Sequence, residues 1–199
     1  MLKKIAVTGS IASGKSTVCQ LFASWGSYTV SADDLVVQAF SSHTSIGKEV
    51  CQIFGDDVVE GERIVRSRLA QKIVRAPDLL TKLEAICHPY VNDEIQKIYR
   101  TICYETKYSL FVAEIPLLFE SKFPLWPWFD VTIIVICDEK KARKRYIDKK
   151  DNEEFFSFLS SRLLPTEEKT KRATYTIENN DSLIDLESSS KRIFEKIIT

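Results

Sequence analysis

Apolar residues in this chain gather into runs of two periods. Short blocks at residues 4–8, 28–31, 110–113 and 131–136 are rich in β-branched or aromatic side chains and bounded by polar residues, the pattern of buried strands. Every residue of 131–136 is β-branched, as when helices cover both faces of a parallel strand. A shorter block at 175–177 predicts a fifth strand. Between these blocks the apolar spacing turns helical, at 17–25, 34–40, 67–75, 79–102, 139–149 and 183–198. Strands alternating with helices predict an α/β fold, a parallel sheet flanked by helices with right-handed crossovers.

Two stretches exceed a minimal frame of that kind. Residues from about 40 to 105 read as nearly all helical, which predicts a helical subdomain between the second and third main strands. Residues from about 148 to 170 are polar and partly helical with Pro165 as a breaker, and predict a mobile lid. The expected organisation is one domain over 1–199. Its nucleotide core covers about 1–40 and 106–147, its helical subdomain about 41–105, its lid about 148–170, and a closing strand and helix 171–199.

Composition narrows the class without naming it. Lys plus Arg equals Asp plus Glu at 28 each, so no global field draws the chain to nucleic acid or membrane, and any phosphate-binding field is local. Five scattered cysteines without a C-x-x-C pair, and two histidines, read as reduced thiols rather than a disulfide or zinc framework. The start Met1-Leu2-Lys3-Lys4 precedes too short an apolar stretch for a secretory signal. No apolar run approaches the roughly 18 residues of a membrane span. The expected address is the cytoplasm; the composition leaves oligomeric state open.

The chemistry rests on Gly9-Ser10-Ile11-Ala12-Ser13-Gly14-Lys15-Ser16, which satisfies G-x-x-x-x-G-K-[ST] between a predicted strand and a predicted helix. Gly9 and Gly14 permit backbone angles that turn successive N–H groups inward, a nest for phosphate oxygens. The helix start adds its partial positive charge at the same point. Lys15, expected as an exposed loop lysine, reaches the β- and γ-phosphates, and the Ser16 hydroxyl is a hard ligand for magnesium. Thr17 follows as a further nucleotide contact. A chance glycine turn before Lys-Ser is the competing reading, and the strand–helix context argues against it.

The chain lacks the D-x-x-G and N-K-x-D strings of a GTPase, which leaves the small-molecule kinases. Those need an acidic group near the end of the second strand to receive the acceptor's hydroxyl proton. Ser31-Ala32-Asp33-Asp34 offers Asp33 there; the bland alternative is a cap on the next helix. Glu114, ending the third main strand, could hold magnesium through a water or simply pair with a nearby base.

With these residues in view the chain resembles the dephospho-coenzyme A kinase family. The resemblance runs through Val7-Thr8-Gly9 with the P-loop, Ala32-Asp33, Arg66 with Leu69, His88-Pro89, Pro116-Leu117-Leu118-Phe119-Glu120 and Ile177-Glu178-Asn179-Asn180. It implies a P-loop NTPase-type core, a helical substrate subdomain and a lid, with transfer of the γ-phosphate of ATP, as its magnesium complex, to the ribose 3′-hydroxyl of dephospho-coenzyme A. It further implies ATP-phosphate contacts for Arg145 and Lys149, an adenine-side position for Asn179, and acceptor contacts for Thr8, Arg66, His88 and Pro116. Against the family pattern, Ser31 stands where an Asp is usual, Lys149 where Arg is usual, Leu163 where Gln is usual and Thr174 where an acid is usual. Each implied residue has a plainer alternative. Lys141, Arg145 and Lys149 recur every four residues and could form a solvated basic face, Arg66 an exposed helix arginine, His88 a structural histidine at a helix break, and Asn179 a turn. Trp126 and Trp128 read as core or subdomain packing. The rival functions are a P-loop kinase for a nucleoside, nucleotide or other small alcohol, and a nucleotide-binding regulator without turnover.

Overall fold

The computed structural model describes residues 1–122, 125–150 and 153–199, and the chain divides into two compact units. Met1–Ser31 with Lys97–Thr199 forms one, Ala32–Gln96 the other. In chain order the elements are β1 (Lys3–Gly9), α1 (Lys15–Ser24), β2 (Tyr28–Ser31), α2 (Ala32–Ala39), α3 (Ser45–Phe54), β3 (Val59–Glu60), β4 (Arg63–Ile64), α4 (Arg66–Arg75), α5 (Asp78–Ile102), β5 (Leu110–Glu114), β6 (Val131–Ile136), α6 (Glu139–Lys150), α7 (Glu153–Ser160), α8 (Thr166–Arg172), β7 (Tyr175–Glu178) and α9 (Leu183–Ile198).

The first unit is a five-stranded sheet of order β2-β5-β1-β6-β7, parallel at every pairing. The strand that leads into the phosphate-binding motif is therefore central. On one face Ile5, Val7, Val112 and Ile133 meet Val18 and Phe22 of α1 and Phe194 and Ile197 of α9, all buried. Phe22 and Phe194 meet edge to face at 5.4 Å, a geometry worth about 0.5–1.5 kcal/mol beyond the area it buries. On the opposite face Phe111 is fully buried, with the Tyr99 and Trp128 rings edge-on at 5.3 and 6.1 Å. Trp128 thus packs as the sequence suggests. Trp126 does not: it is 43% exposed, touching only Phe119 among the rings described for it, at 6.5 Å.

The second unit is helical apart from a small hairpin, β3 with β4, which the sequence reading did not include. Gly61, at φ +60°, turns it. Strands of two residues are too short to show an alternating pattern, so the sequence carried little sign of them. The Thr44 hydroxyl caps α3 by accepting from Gly47 N at 2.9 Å, while Ile46, Val50 and Phe54 bury one side of that helix. Lys72 of α4 donates to Asp57 at 2.6 Å and holds that carboxyl below its usual range. The expected break at His88-Pro89 does not occur, because α5 runs through Pro89. Proline there removes the one bond to the carbonyl of Ala85, and both residues lie on the exposed side of the helix, where water can take that place.

Of the expected lid, residues 151 and 152 lie outside the described residues, and the remainder is largely packed helix. Phe156 of α7 is buried against the Tyr146 ring of α6 at 5.3 Å, Arg143 pairs with Glu153, and Lys169 of α8 is fully buried.

Candidate active site

Strand β1 ends at Gly9 on the carboxyl edge of the sheet, where ligands bind in open α/β folds. The turn from Ser10 to Gly14 is closed to side chains at both ends. Gly9 has φ +147°, and a Cβ there would lie 2.1 Å from Val135 O; Gly14 has φ +102°, and its Cβ would lie 2.2 Å from Asn179 Nδ2. Ala12 is also left-handed, at φ 52°, a conformation that costs an L-residue about 1–2 kcal/mol. Sequence reasoning assigned the turn to its glycines, and nothing in the identity of Ala12 marks it. Alternating backbone handedness of this kind directs consecutive N–H groups into one concavity. Gly14 at the N-cap has no side chain to cap α1, and the first N–H groups of that helix face the same place.

Lys15 differs from its expectation as an exposed loop lysine. It opens α1 and is 8% exposed. Its ammonium donates to Ser10 O at 2.8 Å and lies 3.4 Å from Gly9 O. The turn folds its carbonyls back over the lysine, so the cation is already fixed beside the nest. Ser16 Oγ donates to Glu114 Oε1 at 2.8 Å. Glu114 closes β5 in the cross-strand row of Val7 and Ser31, which brings the two expected magnesium residues together. A hydroxyl and a carboxylate oxygen beside a phosphate cradle fit an ion that takes one or two protein oxygens and completes its shell with phosphate and water. Among the described residues no group of three or more His, Cys, Asp or Glu could hold a metal, so a dedicated protein cage is not what these side chains build. Beneath them Cys19 is buried, and burial, with the Glu114 charge second, pushes its thiol far up.

Asn179 forms the other wall. Its Nδ2 donates to Ser13 O at 2.7 Å in a buried bond, and its backbone N donates to Ile136 O at 2.9 Å. Arg145 donates to Asn179 O at 3.3 Å and to Cys137 Sγ at 3.3 Å. Lys141 donates to Asn180 O, so of Lys141, Arg145 and Lys149 the first two are spent on the 179–180 segment while Lys149 is exposed. The structure thus places Asn179 as a buttress of the phosphate turn. Asn179→Ala should orphan Ser13 O at a cost of about 1–3 kcal/mol and raise the KM for ATP. Denaturant unfolding and ATP titration check this, and unchanged values in both would contradict it.

Thr8 is fully buried, and its hydroxyl donates to Pro116 O at 3.2 Å. Ile115 N donates to Val7 O at 2.9 Å, so β1 carries the loop after β5. Ser10, Ile11 and Thr17 lie half-buried along the turn and the first turn of α1. In the second unit Asp33 is exposed in the first turn of α2, two residues beyond the end of β2. Arg66 is exposed at the first position of α4, and His88 is half-buried in mid-helix.

Comparison with known proteins decides between the kinases that could share this cradle. A family model described as dephospho-CoA kinase matches residues 3–185. The chain belongs to the dephospho-CoA kinase family. It is 37% identical over 194 residues to a dephospho-CoA kinase of Chlamydia pneumoniae, covering 97% of this chain and 95% of that one. To the dephospho-CoA kinase of Protochlamydia amoebophila it is 34% identical over 199 residues, covering 98% and 97%. Among solved structures, TT1252 from Thermus thermophilus superposes with a TM-score of 0.73 at 31% identity over 98% of each chain. Membership makes the chain a phosphotransferase with an alcohol acceptor, and its P-loop is the part of the dephospho-CoA kinase scaffold described above.

Proposed function

We propose a division of labour for this chain as an ATP-dependent kinase of dephospho-coenzyme A, transferring the γ-phosphoryl group to the ribose 3′-hydroxyl. The observation that carries it is the turn from Gly9 to Gly14, left-handed at three positions, with Lys15 held beside it. Its N–H groups and the start of α1 take the phosphates, and Lys15 exchanges carbonyl partners for β- and γ-phosphate oxygens. Ser16 and Glu114 are the residues that would hold magnesium, which neutralises charge on the phosphate oxygens when bound. Arg145 and Lys149 supply cations on the α6 side; only Arg145 has a fork that can grip two oxygens at once.

Asp33 receives the proton of the acceptor hydroxyl, the helical subdomain of about 41–105 binds the acceptor, and Thr8, Arg66, His88 and Pro116 are acceptor contacts. The 148–170 segment is the lid. Among the described residues no helix is long and apolar enough to cross a membrane. Five free cysteines support a cytoplasmic address, where thiols stay reduced. Release of ADP should depend on dephospho-coenzyme A, with nucleosides and nucleotides inert as acceptors. It should vanish in chelator and return with magnesium. Full turnover in chelator would contradict the roles of Ser16 and Glu114, and equal turnover on a nucleoside would contradict the acceptor.

A further inference from the structure

Away from the phosphate turn, one pair of charges is buried more deeply than any other ion pair among the described residues. Lys169 Nζ lies 3.0 Å from Glu120 Oε1, with side-chain exposures of 0% and 9%. The same oxygen accepts from Leu164 N at 3.2 Å. Neither Nζ nor the second oxygen, Oε2, has a hydrogen-bond partner among the described residues. Removing two charges from water is costly, and a buried pair with unfilled valences is poor value as a source of stability alone. A packed apolar pair would hold α8 as firmly. What the charges add is direction, because one carboxylate oxygen fixes both the head of Lys169 and the backbone at Leu164.

The two ends of this contact belong to the catalytic frame. Glu120 closes the turn that starts at Glu114, is fastened to β1 through Ile115 and Thr8, and buries Leu118 and Phe119. Leu164 and Lys169 belong to the turn and helix that follow α7. The helix before them, α7, packs on α6 through Phe156 and Tyr146 and through Arg143 and Glu153, and α6 carries Arg145, bonded to the Asn179 that braces Ser13. From Glu120 the link to α6 therefore runs through Leu164 and along the chain to α7, while Lys169 holds the same Glu120 oxygen. We propose that Glu120 and Lys169 are positioning residues for phosphoryl transfer, setting where the α6–α8 segment presents its cations to ATP. The inference rests on the reading of α6 as the phosphate-facing segment.

Misplacement of a catalytic group by about 1 Å can cost on the order of 10²-fold in rate. Glu120→Gln and Lys169→Met should each lower kcat about 10- to 100-fold, with the KM for ATP changed by less than about threefold because ground-state binding uses the turn itself. Each single change leaves a buried charge unpaired and should also lower Tm. The double variant Glu120→Gln with Lys169→Met removes both charges and should recover Tm while kcat stays low. A double variant with kcat within threefold of wild type would make the pair merely structural and overturn the proposal. Hydrogen exchange on the unmodified protein gives a readout that no variant can spoil by misfolding. The Leu164 amide should be protected at a level near that of β1, and exchange as fast as an unstructured peptide would also overturn it. Wild-type protein is assayed alongside: if it fails to turn over dephospho-coenzyme A, the kinase reading fails, whereas active wild type with fully active variants sinks only this inference.

Discussion

Asp33→Asn is expected to lower kcat by about 10²–10⁴-fold while ATP affinity stays within about threefold of wild type. Asn keeps the shape of the side chain and can still hydrogen-bond. It cannot take the hydroxyl proton, nor supply the negative charge that orients the acceptor. The loss amounts to roughly 3–5 kcal/mol of barrier, and it should sit in kcat with a smaller change in the acceptor's KM. Stability should barely move. Asp33 is exposed in the first turn of α2, where an acid is worth only about 0.3–1 kcal/mol against the helix dipole, and Asn serves nearly as well as a cap. The capping alternative therefore predicts near-normal rates from the same protein. Steady-state kinetics at saturating ATP and acceptor separate the two, and a kcat within threefold of wild type would leave Asp33 without a catalytic role.

Lys15→Ala should lower turnover by on the order of 10²-fold or more, through loss of a charge that stabilises the phosphate oxygens as the γ-phosphoryl group transfers. Because Lys15 is 8% exposed and donates to Ser10 O, the substitution also touches the folded state. One hydrogen bond to a charged donor contributes about 1.5–3 kcal/mol, so a lowered Tm is expected beside the lost rate. Assays well below that Tm distinguish the two effects. A Lys15→Ala protein that remains folded and turns over like wild type would remove the phosphate-binding role of the turn.

The main sheet and the phosphate turn were legible because their signals are local. The β-branched run at 131–136 has no helical alternative, and the observed β6 has the same bounds. The P-loop spacing placed a strand before Gly9 and a helix after Gly14, as found. Helix α3 was readable only as part of a helical stretch, since Gly47 interrupts its propensity. That glycine is required by a contact remote from the helix pattern, because a Cβ there would lie 1.7 Å from Ser41 O.

The site was less legible than the fold, and for one reason. Pairings such as Ser16 with Glu114, Asn179 with Ser13 and Lys169 with Glu120 join residues 98, 166 and 49 positions apart, the first two as hydrogen bonds and the last as an ion pair. Residue type alone made Lys169 an ordinary lysine in a polar stretch. Only the tertiary fold shows its side chain to be fully buried.

The central claim is transfer of phosphate from ATP to dephospho-coenzyme A, and its product can be weighed. Purified protein incubated with ATP, magnesium and dephospho-coenzyme A should yield coenzyme A by mass spectrometry, in amounts that match the ADP formed and depend on both substrates. ATP bound with no coenzyme A produced, or ADP released equally without the acceptor, would contradict the account.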